Sequence, residues 1–204
     1  MQAARGSGRG GFGYGGQGLR LTSTGVCNDG DIARDIGPII RGLTMADGDI
    51  RLEVKAVSEP EHVRFTIKTR NLPVTAGSLN PAAAVATSYA VAIEPALGRA
   101  LIGKVGGPML KRDDLASGLS ADDWNAVAIR LQGPNFWLLL NDRPVLFFSD
   151  YSLDRGDVSF SLLKLSDGPD RSVHDPYDTN EAAVVVRNLR VSALADGDPA
   201  RELG

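Results

Sequence analysis

Acidic side chains cluster between residues 167 and 181, in a stretch whose glycine and prolines indicate a loop. A calcium ion takes about six to eight oxygen ligands, and carboxylates are prominent among them. The spacing matches no EF-hand, and acidic loops between strands are commonly just solvated. Two interpretations therefore stand, a solvated loop or a calcium site. The ligands predicted for such a site are Asp170, Asp175 and Asp178.

Charged side chains alternate with apolar ones in two stretches, 50–55 and 63–68. Alternate side chains of a strand point to one face, which predicts an outward charged stripe on two neighbouring strands. One interpretation is that opposite charges pair across a hairpin and stabilise it modestly. The other is a sugar-binding face, on which aromatic rings stack on pyranose rings and charged groups bind hydroxyls. The predicted ligand-binding residues are Trp137, Tyr89, Arg51, Glu53 and Arg64.

A period-two pattern of apolar and polar residues determines the elements that would position these side chains. The pattern runs through most of the 204 residues, with Gly, Pro, Asn or Asp at short intervals. It predicts about ten strands, and nothing in it favours the strand–helix alternation of a parallel sheet. The predicted fold is all-β, an antiparallel two-sheet β-sandwich in which residues 49–68 form one hairpin.

Composition divides the chain into three parts. Residues 1–18 hold eight of the 24 glycines, and such a segment is predicted to be a flexible arm because it buries little and loses much entropy on ordering. Residues 19–194 are predicted to form a single β-sandwich domain. Residues 195–204 are predicted to be a frayed polar tail.

The second half of the chain contains a hairpin motif of a kind that recurs in known protein families. It begins at Trp124-Asn125, continues through an apolar run to Asn141-Asp142, and is followed by further motif residues at 150–158 and 184–191. This pattern resembles that of concanavalin A-like jelly rolls, a group that includes laminin-G-like domains and the domain named after 3-keto-disaccharide hydrolases. The resemblance implies a jelly roll over about residues 19–194, a fold that carries lectins, adhesion modules and hydrolases alike.

Two motif residues have predicted structural roles. Asn141 tolerates the positive φ of a tight hairpin turn. Trp124 is expected to be a large apolar plug where a loop enters the sandwich.

Catalytic patterns are sparse. Hydrolases of the resembled group place two or three carboxylates at alternate positions of one strand, and no strand here offers that pattern. His62 and His174 stand near turns rather than near an obvious nucleophile, and Cys27 is the single cysteine. No Gly-x-Ser-x-Gly motif is present. No catalytic residue is predicted.

Charge and hydropathy restrict the partners. The net charge of −3 argues against a strongly basic nucleic-acid binder, and no apolar run is long enough to predict a membrane span. No signal peptide is recognised, so the predicted extracellular or cell-surface location is that of a fragment of an exported protein. The predicted function is non-catalytic binding of a carbohydrate or a surface protein. The alternatives are a glycan-processing hydrolase and a structural or assembly module.

Overall fold

A computed structural model of the chain describes the residues that form the sandwich and most of its tight turns. The backbone is described for residues 10–15, 18–23, 26–27, 39–58, 63–71, 88–104, 109–113, 118–165 and 180–193. Side chains are described within 18–23, 44–58, 63–70, 88–104, 118–165 and 180–193. Residues 1–9 and 16–17 of the predicted flexible arm 1–18, and the predicted tail 195–204, lie outside these ranges.

Fourteen strands and one short 3-10 turn make up the described secondary structure. The turn is Pro95–Leu97. The strands are β1 (Gly10–Gly15), β2 (Gly18–Ser23), β3 (Val26–Cys27), β4 (Ile39–Met45), β5 (Gly48–Ser58), β6 (Val63–Asn71), β7 (Tyr89–Glu94), β8 (Arg99–Lys104), β9 (Met109–Asp113), β10 (Asn125–Gln132), β11 (Asn135–Leu140), β12 (Arg143–Ser149), β13 (Gly156–Leu165) and β14 (Ala182–Ala193).

The strands form two sheets, which confirms the predicted sandwich. Sheet I has the order β1-β2-β14-β5-β10-β11-β12, and sheet II has the order β3-β13-β6-β7-β8-β9, with β4 also on β13. All strand pairings among the described residues are antiparallel except that of β3 with β13. Inward residues of both sheets form one buried apolar core, because every second side chain of each strand faces the other sheet.

The sandwich begins earlier than the predicted boundary at residue 19. Gly10–Gly15 forms β1 and pairs along its whole length with β2. A glycine-rich segment can do this because the ladder hydrogen bonds come from the backbone and need no side chain.

The predicted hairpin over residues 49–68 is wrong. β5 lies in sheet I between β14 and β10, whereas β6 lies in sheet II between β13 and β7. The chain therefore crosses from one sheet to the other between these strands. The alternation of apolar and polar residues indicates which side chains of a strand face the core, but it does not indicate which other strand pairs with it.

Asn141 and Asp142 form the two-residue turn between β11 and β12, with φ values of 49° and 62°. The positive φ predicted for Asn141 is thus confirmed. Its Oδ1 accepts a hydrogen bond from the Ala126 N–H at 2.7 Å, and its Nδ2 donates to the Gly118 carbonyl. The turn is therefore fastened to the start of β10, which fixes the β10–β11–β12 meander.

Arg70 connects both sheets at one end of the sandwich. Its guanidinium donates to the carbonyl oxygens of Ala46 at 2.8 Å, Leu153 at 2.9 Å and Gly133 at 2.6 Å. Asp47 lies 3.4 Å from the same group and also accepts the Gly133 N–H at 2.9 Å. Only 2% of Arg70 is exposed, so the charge is buried and is compensated almost wholly by backbone carbonyls.

Candidate ligand-binding groove

A groove of about 280 Å³ runs over the outer face of sheet I. Its floor includes Ala126 and Ala128, which are outward residues of β10. Ala126 stands opposite Glu53 and Ala128 opposite Arg51 on β5, while Leu139 on β11 stands opposite Ala128 on the other side. Two methyl side chains between two rows of longer side chains leave a trough in an otherwise covered face.

A β-bulge in β14 shapes one wall of the groove. The pairing of β14 with β5 shifts register between Arg187 and Arg190, and Asn188 within the bulge has φ of 54°. A bulge re-aims side chains and is common next to functional sites. Here Asn188 Nδ2 donates to Glu53 Oε1 at 2.8 Å, and Arg187 Nε donates to Glu53 Oε2 at 2.6 Å.

Both carboxylates on the outer face of β5 are stabilised in their charged form. Hydrogen bonds from Asn188 and Arg187 hold the pKa of Glu53 below its ordinary value. Burial pushes the pKa of Asp49 upward, but the hydrogen bond and charge of Arg130, with the charge of Arg51, outweigh it and leave that pKa lowered. Neither group is therefore suited to donate a proton near neutral pH.

Trp137 and Phe147 form an aromatic pair beside the groove. They stand opposite each other on β11 and β12, with ring centroids 5.3 Å apart. Phe147 is 47% exposed and Trp137 is partly exposed. Trp137 lies two residues before Leu139 on the same face of β11, so the pair continues the groove toward the edge of sheet I. Exposed aromatic side chains next to a polar groove are typical of binding surfaces.

Trp124 is not the apolar plug predicted from the sequence. It is partly exposed and immediately precedes β10, and the Arg187 guanidinium lies over its ring at 3.7 Å from the centroid. The predicted burial is wrong because the ring covers a charged side chain on the outer face rather than filling the core. Since Arg187 also binds Glu53, Trp124 supports the groove wall from outside.

Arg64 lies on the opposite side of the molecule from the groove, so the predicted shared stripe does not exist. Its side chain is fully buried on the outer face of sheet II and donates to Glu94 Oε1 at 2.5 Å. Arg99 donates to the second oxygen of Glu94, also at 2.5 Å. The prediction placed Arg64 beside Arg51 because it assumed the hairpin that the sheet topology excludes.

Tyr89 lies in the core, which corrects its predicted place on a stacking face. The side chain has 0% exposure, and its ring packs edge-on against Phe136 at 4.5 Å between centroids. Its hydroxyl donates to Asp150 and accepts the Leu153 N–H at 3.2 Å. Burial and the hydrogen bond to Asp150 raise the pKa of Tyr89 to about 12.

Asp150 fastens the connection between β12 and β13 to sheet II. It accepts hydrogen bonds from Tyr89 and from the Ser152 N–H at 2.8 Å, and Lys104 Nζ lies 2.8 Å from its Oδ2. Burial alone would raise the pKa of Asp150, but Lys104, Tyr89 and Ser152 together lower it far below its ordinary value. The carboxylate is therefore a structural anchor that depends on its charge.

Acidification is expected to destabilise the fold through Asp150. A carboxyl whose folded pKa is depressed contributes stability above its unfolded pKa of about 4, and this contribution is lost as the pH falls toward the folded pKa. Urea denaturation from pH 6 to pH 2 should therefore show a falling free energy of unfolding, with a shallower slope in Asp150→Asn. The exposed Asp154→Asn is the matched control, and equal slopes for both variants would contradict the assignment.

The predicted calcium ligands Asp170, Asp175 and Asp178 lie outside the described residues, so the calcium site stays a prediction. Within the described part of the chain, no group of three or more His, Cys, Asp or Glu side chains is arranged to hold a metal ion.

The groove contains residues that sequence reasoning missed. Arg51 and Glu53 were predicted, and the predicted Trp137 lies next to the groove on β11 without lining it. Ala126, Ala128, Asn188 and Arg190 were not. The alanine pair is visible in the sequence as small residues at outward positions of an otherwise amphipathic strand. The bulge that presents Asn188 leaves no comparable sequence signal.

Solved structures with similar folds are known, although no protein-family model and no curated protein matches the chain. The chain superposes on a carbohydrate-binding module, CBM66, from Bacillus subtilis with a TM-score of 0.59 and 11% identity, covering 91% of this chain and 92% of that one. A Bacillus subtilis protein of unknown function with a galectin-like fold superposes with a TM-score of 0.58 and 15% identity. The match covers 90% of this chain and 86% of that one.

A third similar structure is an enzyme. A Bacteroides ovatus GH16 protein from a mixed linkage glucan locus, in complex with a G4G4G3G product, gives a TM-score of 0.57 and 10% identity over 90% and 85% of the chains. These likenesses confirm the predicted jelly-roll β-sandwich fold. Among the residues that the structure describes, no helix combines the length and hydropathy needed to cross a bilayer.

Proposed function

We propose that the protein is a non-catalytic carbohydrate-binding module that acts in an extracellular or cell-surface setting. The observation that carries this proposal is the groove over Ala126 and Ala128 with the partly exposed Trp137–Phe147 pair beside it. A solvent-facing trough with polar walls and an aromatic end suits a sugar, whose ring has apolar faces and a polar edge. The similarity in fold to a carbohydrate-binding module supports the same conclusion.

The groove offers both kinds of contact that a glycan needs. Arg51 on β5 and the Asn188 amide at the bulge line one side, and Asp142 contributes a carboxylate from the turn after β11. These groups can donate hydrogen bonds to sugar hydroxyls or accept them, while the ring of Trp137 offers an apolar face to the next sugar of the bound glycan. A volume of about 280 Å³ lies near the lower end of small-molecule pockets.

Binding is proposed rather than hydrolysis because the two carboxylates on the outer face of β5 are held in their charged form. A glycosidase needs a protonated carboxylic acid beside the scissile bond. Glu53 and Asp49 are held ionised by their arginine and asparagine partners. The GH16 structure keeps hydrolysis as the second candidate to be tested, because it shares the fold.

A glycan array read beside a hydrolysis assay on the same preparation tests the proposal, with three variants. Ala128→Trp is expected to abolish binding because the indole fills the groove floor. Trp137→Ala is expected to weaken binding about 10-fold through loss of one stacking face. Tyr151→Ala removes an aromatic side chain that is 85% exposed and does not line the groove, so it should bind within about 2-fold of the parent.

The outcomes separate the three functions. Binding that Ala128→Trp abolishes, without release of shortened sugars, supports the proposal. Release of such products indicates a hydrolase. Binding that Ala128→Trp leaves unchanged places the site elsewhere, and a protein that binds no glycan on the array is better explained as a structural or assembly module.

A further inference from the structure

Two arginines face each other on one wall of the groove. Arg190 of β14 is the direct register partner of Arg51 of β5, and both line the groove. Directly opposed side chains of neighbouring strands have Cβ atoms about 4.5–5.5 Å apart, and like charges at such positions destabilise a sheet. Their pairing therefore costs stability unless an anion lies between them.

The carboxylates on this face neutralise little of the positive charge of the two arginines. Glu53 is held by Arg187 and Asn188 at 2.6 and 2.8 Å. Asp49 binds Arg130 at 3.0 Å and reaches Arg51 only at 3.4 Å. Most of the negative charge near the wall is thus committed to other partners.

Arg190 itself has no such compensation. Within the described ranges its exposed guanidinium has neither a hydrogen-bond partner nor an ion-pair partner. Asp142, the other carboxylate that lines the groove, belongs to the turn after β11. That turn is three strand spacings from β14, roughly 14 Å between backbones, and no ion pair joins Asp142 to Arg190 among the described residues.

We propose that the groove selects acidic glycans, whose carboxylate or sulfate ester group binds between Arg51 and Arg190. The inference rests on the proposed glycan-binding function and adds the class of sugar. Guanidinium groups bind carboxylate and sulfate oxygens through paired, charge-assisted hydrogen bonds. The ligand supplies the negative charge that the wall lacks, while the methyl floor and Trp137 contact the rest of the ring.

Matched probes test the proposal by isothermal titration calorimetry. They are tetragalacturonate, its fully methyl-esterified form, a κ-carrageenan tetrasaccharide, which carries sulfate esters and no carboxylate, and cellotetraose. The first two share one sugar backbone and differ in carrying charged carboxylates or neutral methyl esters, and the third distinguishes sulfate from carboxylate recognition. At least one acidic probe is expected to bind about 10-fold or more tighter than the neutral probes, and its affinity should fall as salt is raised.

Two variants locate the effect. Arg190→Gln should lower the affinity for the preferred acidic probe about 10-fold and leave the neutral probes nearly unchanged. Arg155→Gln removes an equal charge at a side chain that is 69% exposed and outside the groove. It should leave all affinities within about 2-fold.

Each outcome decides between the two proposals. Equal binding of the acid and its ester, abolished by Ala128→Trp, would overturn acidic selectivity and keep the glycan-binding function. Equal losses in Arg190→Gln and Arg155→Gln would mean unspecific attraction by net charge and would overturn the Arg51–Arg190 site. Failure of all four probes and of the glycan array would overturn both proposals.

Discussion

Replacing Arg70 by methionine is expected to lower the free energy of unfolding by about 3–5 kcal/mol. The guanidinium hydrogen-bonds the carbonyls of Ala46, Leu153 and Gly133, and it lies over the Phe136 ring at 4.8 Å from the centroid. Methionine can fill much of the space but donates no hydrogen bond. The three carbonyl acceptors would then lose this donor and the Asp47 carboxylate would lose one of its partners. A buried acceptor left unsatisfied costs about 1–3 kcal/mol.

The urea midpoint of Arg70→Met, compared with that of Arg155→Met, measures this effect. Arg155 is largely exposed, and among the described residues its single ion pair is a 4.0 Å contact with Asp154. Its replacement should change stability by less than about 0.5 kcal/mol. If the two variants unfold at the same urea concentration, Arg70 does not connect the two sheets in the way that its contacts indicate.

Replacing Gly48 by alanine is expected to cost about 3 kcal/mol or more. Gly48 has φ of 152°, and a Cβ there would lie 2.1 Å from the Ser192 carbonyl oxygen. Because the obstacle is backbone, β5 and β14 would have to separate at this end. The neighbouring Asp49, which holds Arg130, would move with them, so the groove is expected to lose affinity together with stability.

Gly98→Ala is the matched control for Gly48→Ala. Gly98 also has a positive φ, 58°, but a Cβ there meets nothing within 4 Å. Its replacement should cost only the strain of a left-handed residue, about 1–2 kcal/mol. Thermal or urea unfolding of both variants separates steric conflict from backbone strain. Equal losses in the free energy of unfolding would contradict the close approach of β5 to β14.

The fold was more predictable than the pairing of its strands. Alternation in residues such as Ile50, Leu52 and Val54 identified the core face of β5, and all three are buried. Their spacing could not show that β5 pairs with β14, which lies more than 120 residues later. Short-range turn chemistry was more reliable, because the φ of Asn141 depends on its own side chain and on the two strands that it joins.

Residues of the candidate site could be predicted only where they lie on one and the same strand. Arg51 and Glu53 lie at alternate positions of β5, so their shared face followed from the period of two. Arg64 was misplaced because outward position was equated with exposure, and Tyr89 was misplaced because it faces the core rather than the outer face of its sheet. Arg64 is outward on sheet II and still fully buried. The opposition of Arg190 and Arg51 depends on sheet register, which a single sequence does not encode locally.

The position of β14 between β2 and β5 has a consequence for the order of folding. The N-terminal strands and the central strand of sheet I both take their partner from residues 182–193. A ribosome-bound chain that has not yet exposed those residues lacks the strand joining the two halves of that sheet. Assembly must then wait for the last strand and close very long loops, the kind of topology associated with slow folding. Until then, the strands that pair with β14 have open edges, and open edges are the places where a partly folded chain pairs with other chains and aggregates.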